Sequence, residues 1–401
     1  MTTSNRLSLP ADPRSRRSCL CNLPTASLLC IVFFVGSVFV ATDFKERFTR
    51  WRMVDHMLIT EPIPCEIQCR PQGSEALPKG IVVRTSNLEL RPLWGSPKKL
   101  NSKSKSLLAI PVGIRQKENV DKMVKKFPSN DFSVMLFHYD GMVDEWSDLE
   151  WSSRAIHVSA IDQTKWWFAK RFLHPAIVAE YDYIFLWDED LGVESFNPGR
   201  YLSIVKEERL EISQPALDVA KSEVHHQITA RGRRSKVHRR TFKVGGGSGC
   251  DANSTAPPCT GWVEMMAPVF SRASWRCTWY MIQNDLIHGW GLDYQLGYCA
   301  QGDRTKNIGV VDAEYIVHQG LPTLGGLEEN TTTADAPGQA SPTKLSPNME
   351  AQAPSHSHVN IDRYAVRRRS YVEYEIFKKR WKKAAHEDEC WIDPFQQPAK
   401  Q

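Results

Sequence analysis

The chain has 401 residues, 41% hydrophobic and 24% charged, with a formal net charge of +5. That is a globular composition with room for one large domain or two small ones plus tails, and it excludes a collagen-like or wholly disordered chain. The positive balance is mild and sits in local clusters, so charge alone does not define a nucleic-acid-binding protein.

Residues 20–42, LCNLPTASLLCIVFFVGSVFVAT, carry no charge. A run of this length is a candidate membrane-spanning helix. Arg6, Arg14, Arg16 and Arg17 precede it against Asp12 alone, so the positive-inside rule keeps residues 1–19 cytoplasmic. Lys45, Arg47, Arg50 and Arg52 on the other flank weigh against that orientation. A cleaved signal peptide is the alternative, but the run begins late and is long for one. The expectation is a single-pass type II protein of the Golgi or another secretory membrane, with everything after Thr42 in the lumen.

Cys19, Cys21 and Cys30 lie at or in this anchor, leaving Cys65, Cys69, Cys250, Cys259, Cys277, Cys299 and Cys390. The remainder is odd, so one thiol stays free or pairs between chains. Cys65 and Cys69 have no matching Cys or His pair at zinc-finger spacing, which favours a disulfide over a metal. Two sequons, at Asn253 and Asn330, are open to glycosylation in a lumen. Cys250 and Cys259 bracket the first and are expected to close a loop around it.

Residues 43–105 are rich in Pro, Ser and charge without a sustained period, as in a stem. From residue 106 strands and helices alternate. SLLAIPVGI, DFSVMLFHYDG, RAIHVSAID and YDYIFLWDED read as strands. KENVDKMVKKF carries a helical stripe, TKWWFAKRFLHPAIVAEY is a helix interrupted by Pro175, and NPGRYLSIVKEERL is a helix opened by Asn197 and Pro198. ISQPALD, GWVEMMAPVFS and IGVVDAEYIVH add strands, and RASWRCTWYMIQNDL a helix. Such alternation implies an α/β domain over residues 106–325, with a single mixed, mostly parallel sheet flanked by helices. Residues 221–260 form an insert, 326–360 a disordered linker, and 361–401 a basic helical tail.

In YDYIFLWDEDLG, three carboxylates follow a buried-type strand, at the end where open α/β sheets bind ligands. Side chains two apart share a strand face, so Asp188 and Asp190 point together and Glu189 away. Two carboxylates side by side repel unless a hard divalent cation lies between them. The alternative is a solvated loop start. Asp293 follows the glycine-rich HGWG turn, where an acid could take a proton from an acceptor hydroxyl or merely favour a helix N-terminus. His318 ends an apolar strand, a position more often structural than ligating.

YDYIFLWDEDLGV resembles the aspartate-x-aspartate segment of A-type nucleotide-sugar glycosyltransferases, whose carboxylates hold Mn²⁺ or Mg²⁺ against the donor diphosphate. The resemblance implies metal ligation by Asp188, Asp190 and His318, donor contacts by Asp188, and Asp293 as the acceptor-side base. Lys165, at the carboxyl end of a strand, and His238 and Arg239, beside the glycine-rich loop, are further donor-binding candidates. The alternatives are helix capping for the Asp162–Gln163 neighbourhood and a solvated loop for RGRRSKVHRR. Trp166 and Trp167 could stack on a base or sugar, though one belongs to the core, and Glu264 is a weaker acceptor candidate. The pieces HVSAIDQTKWWFAKRFLHP, YIFLWDEDLGV, SQPALD, HRR, EMMAPVFSR and HGWGLDYQLG also resemble a plant family, domain of unknown function 707, labelled lysine-ketoglutarate-reductase trans-splicing related. The expected partners are a nucleotide-sugar donor, a glycan acceptor and the membrane, without nucleic acid. A catalytically silent scaffold and an RNA-binding protein using the basic clusters are the competing classes.

Overall fold

The computed structural model describes residues 71, 73–82, 105–242, 249–282, 285–321 and 358–395. The expected anchor at 20–42, Cys65 and Cys69, and the sequon at Asn330 lie outside them. Among the described residues no helix is long and apolar enough to cross a membrane.

The chain builds β1 (Lys105–Val112), α1 (Lys117–Val124), β2 (Phe132–His138), β3 (Ile156–Ser159), α2 (Lys165–Phe172), β4 (Tyr181–Leu186) and β5 (Leu191–Gly192). Then come α3 (Pro198–Glu207), β6 (Ile212–Leu217), β7 (Val237–His238), β8 (Val269–Ser271), α4 (Arg272–Met281), α5 (Arg304–Asn307), β9 (Ile308–His318) and α6 (His358–Glu387). The sheet order is β3-β2-β1-β4-β8-β6-β9-β5, with β7 also on β9. The half from β3 to β4 is parallel, as the alternation predicts. The other half is mixed: β8 runs against both β4 and β6, and β5 and β7 run against β9. The long excursion between β6 and β8 brings the chain back from the opposite end, which periodicity cannot foresee.

Strand alternation sorts the core onto two faces. Leu107, Ala109, Ile184 and Leu186 pack on one side with Phe168 and Trp275; Leu108, Ile110, Phe185 and Trp187 pack on the other with Phe127 and Tyr201. The α1 stripe expected from spacing, Val120, Met123, Val124 and Phe127, is buried. α2 stops before Pro175 and is capped at Thr164, whose hydroxyl accepts from Trp167 N–H. α3 begins on Asn197, whose side chain accepts from Arg200 N–H, with Pro198 in the first turn.

Two segments depart from expectation. Leu77 and Ile81, placed in the stem by composition, are fully buried in the core. The tail helix α6 is equally integral: Phe377, Trp381 and Ala384 sit in that same core. Asp388 accepts from Lys79 N–H at 2.6 Å, and the Trp391 indole N–H donates to Ala76 O at 2.9 Å. Neither the boundary at 105 nor that at 325 therefore bounds the packing. Phe377, Trp381 and Ala384, buried at spacings of four and three, form a docking stripe, and the lysines and arginines between them hide it from composition.

Disulfides join Cys250 to Cys259 and Cys277 to Cys299. The first closes the expected loop, and Asn253 is exposed within it.

Candidate active site

A cavity of about 770 Å³ opens at the carboxyl ends of β4 and β9. Its wall includes Lys165, Asp188, Glu264, Asp293 and His318, five residues far apart in sequence.

β4 delivers the acids. Its ladder continues past Leu186, with Trp187 N–H donating to Ala109 O and Asp188 N–H to Met266 O, so the alternation of side chains persists through the carboxylates. Asp188 faces the cavity, its side chain 36% exposed, and Lys165 Nζ donates to its Oδ1 at 2.6 Å and to Met265 O. Burial raises the Asp188 carboxyl, with the Asp190 charge adding to this and the Lys165 ammonium opposing it. Glu189 points the other way, as alternation requires. It accepts from the Tyr139 hydroxyl at 2.5 Å and from Gly113 N–H at 2.7 Å, and burial pushes it up to about 8. A carboxyl locked between two donors in the core is a structural tie between β4, β1 and β2.

Asp190 meets the end of β9. Its Oδ2 lies 3.4 Å from His318 Nε2, and this contact, opposed by burial, raises the imidazole. Two ligand atoms each about 2.1 Å from one ion stand about 3 Å apart, so Asp190 and His318 fit as a ligand pair. Asp188 is held by Lys165, and among the described residues no three His, Cys, Asp or Glu side chains are gathered as a metal cage. Asp188 would complete the set on leaving Lys165.

The HGWG turn also lines the cavity. Gly289 and Gly291 have φ of +77° and +81°, and an added Cβ would fall 2.3 Å from the Trp166 ring and 2.2 Å from the Tyr374 ring. Both glycines are thus demanded by conformation and by close approach. The turn carries Asp293 into a 3-10 turn, Leu292–Tyr294, rather than the expected helix. Burial pushes Asp293 up to about 7, against the Tyr294 N–H that favours its ionised form. Glu264 lies in a loop, since the expected strand there shortens to β8. Burial pushes Glu264 to about 7 as well, and among the described residues its Oε2 is enclosed without a hydrogen-bond partner. Two carboxyls poised near neutrality beside the Asp190–His318 contact are the parts of proton-transfer chemistry.

Trp166 is the core member of the two, 2% exposed, and also lines the cavity, whereas Trp167 is partly buried and packs against that core. Asp162 adopts φ +59° in the loop before α2, where the capping side chain is Thr164. His238 and Arg239 are not brought to the cavity. His238 Nδ1 pairs with Asp312 at 2.8 Å, and Arg239 binds Glu208 and Lys306 O. The acceptors of β9 and the α3 end claim them first.

Sequence reasoning missed the wall supplied by α6. Glu373 accepts from the backbone N–H groups of Ile287 and His288 and from His288 Nδ1–H, holding the glycine turn, while Arg367, Tyr371 and Tyr374 line the cavity. Their spacing of four and three was the available signal. His225 and His226 also line the cavity, without a motif to mark them.

No curated protein matches the chain. Among solved structures, TarS from S. aureus aligns at 11% identity and TM-score 0.36, covering 53% of this chain and 36% of that one. TarS 1-349 aligns at 12% and 0.32, covering 53% and 59%. The mannosyltransferase Ktr4p from S. cerevisiae aligns at 12% and 0.22, covering 37% and 49%. The chain thus spans less than two thirds of each. Residues 68–387 match the model of the protein family of unknown function DUF707, and the chain belongs to that family.

Proposed function

We propose that the protein transfers a sugar from a nucleotide-sugar donor to a glycan acceptor, with Mn²⁺ or Mg²⁺, on the lumenal side of a secretory membrane. The observation that carries this is the gathering of Lys165, Asp188, Glu264, Asp293 and His318 around one cavity at the strand ends. Asp188, Asp190 and His318 would hold the ion, which when bound neutralises charge on the leaving diphosphate. Lys165, already 2.6 Å from Asp188, supplies a second positive charge to the same region. Asp293, ionised above about pH 7, takes the proton of an acceptor hydroxyl. That oxygen bonds the anomeric carbon as the bond to the diphosphate oxygen breaks, and the nucleoside diphosphate leaves. Glu264 stands on the acceptor side, where its protonated form can donate to a sugar oxygen.

The test is a panel of nucleotide sugars with purified protein and Mn²⁺, read as nucleotide release and as a shift in melting temperature. Asp188→Asn must collapse the release; an unaltered rate removes the assignment. Absence of any shift or release returns the protein to the scaffold class. The Lys165–Asp188 pair favours a second reading, in which the ammonium takes the part of the metal and release persists in excess EDTA. The RNA-binding reading, with its trans-splicing label, loses support because Arg239 and Arg240 direct donors to groups within the protein. A steep salt dependence of RNA affinity would restore it.

A further inference from the structure

α6 carries two stripes. Ser370, Phe377, Trp381 and Ala384 are buried. Beside them Arg367, Tyr371 and Tyr374 follow at i, i+4 and i+7, one face of a helix, and all three line the cavity. Packed against α6, the glycine turn presents Trp290, 51% exposed, and Tyr294, 39% exposed, while Tyr371 is 62% exposed. Large rings grouped on a cavity lip mark a ligand surface. Their faces suit the C–H faces of a pyranose, and the phenol hydroxyls can bond its hydroxyls.

Arg367 is exposed, and among the described residues no carboxylate pairs with it. A guanidinium is the side chain that best matches a carboxylate, by two parallel hydrogen bonds. Asp293 lines the same cavity beside Tyr294 and Tyr374; burial raises both phenols, and the Asp293 charge adds to it.

We propose that this lip is the acceptor subsite and that the acceptor is a uronate-bearing saccharide: its carboxylate pairs with Arg367, its rings lie on Trp290 and Tyr371, and its attacking hydroxyl reaches Asp293. The word acceptor rests on the glycosyl-transfer reading, whereas the binding site does not. The donor side then begins at Lys165 and Asp188, which line the same cavity.

The experiment is calorimetric titration of the purified full chain with an oligogalacturonate and with a neutral cello-oligosaccharide of equal length. The acidic sugar is expected to bind at least about tenfold more tightly, with affinity falling as salt rises. Arg367→Ala is expected to weaken it about tenfold, the loss of one charge-assisted pair. Arg368→Ala, which removes the same charge from an exposed position off the cavity face, is expected to change it less than about twofold. No binding of the oligogalacturonate, equal affinity for both sugars, equal loss in both arginine variants, or displacement of the sugar by GDP would each overturn the proposal. If the pattern holds while no nucleotide sugar is turned over, the saccharide site stands and the transfer reading falls.

Discussion

The two walls of the cavity are made differently. One is the rim at the carboxyl ends of the strands, where Asp188 and His318 emerge, with Asp190 behind them, from strands whose backbone is fixed by ladder hydrogen bonds and whose core residues are fully buried. The other is α6, a helix reached across a long stretch of chain and held by three aromatic or small anchors and the Glu373 bonds. The first wall is positioned by secondary structure itself, the second only by tertiary packing. Chemistry assigned to the first should therefore survive damage to the second better than the reverse.

The largest effect expected is on the helical wall. Phe377→Ala, at a fully buried position, should lower stability by about 3–5 kcal/mol, read by denaturant unfolding. A loss under about 1 kcal/mol would mean that α6 is not part of the core. Next is Asp188→Asn, expected to reduce nucleotide release about 100- to 1000-fold with a near-native melting temperature. That outcome separates the chemistry of the strand-end rim from its packing. Glu373→Ala should cost about 1–3 kcal/mol by stripping the acceptors from Ile287 N–H, His288 N–H and the His288 ring. It should also loosen protection of those two amides in hydrogen exchange, while the amide of Asp188 stays protected.

The smallest effect is a pH dependence, and its two readouts run in opposite directions. Asp293 is pushed up to about 7, so its base form grows roughly tenfold between pH 6 and 8 and transfer should rise with it. Because the folded value lies above the unfolded one, the stability contributed by the protonated carboxyl is full at acid pH and is lost as pH rises through about 7. Glu264, also near 7, acts in the same sense. Melting temperature should thus fall between pH 6 and 8 while rate rises, and Asp293→Asn should flatten the rate slope and leave only the Glu264 part of the stability slope. A variant that keeps the acid limb would move the base to another residue.

The strands of the parallel half, the Asn197 cap and the opposed faces of Asp188 and Glu189 were legible because each depends on a local period. The mixed half was less so: the strand expected from Gly261 begins only at Val269, since its early residues turn to carry Glu264 to the cavity. His238 and Arg239, donor-binding candidates by sequence, lie elsewhere for a related reason. A basic run shows its charge but not the Asp312 and Glu208 that neutralise it, which arrive from other elements. α6 was legible as a helix and not as a wall, because its docking stripe is interleaved with cations and its partners Leu77, Ile81 and the glycine turn are distant in sequence.

The clasp between residues 71–82 and 388–391 gives the chain an unusual topological property. Lys79 and Asp388, like Ala76 and Trp391, are joined by hydrogen bonds although they stand near opposite ends of the described chain. A single peptide cut placed between residues 322 and 357 would then leave α6 seated as a separate segment, held by its anchors and this clasp. The cut protein should co-elute as one particle, and the released helix should behave as an exchangeable subunit whose supply restores the second wall.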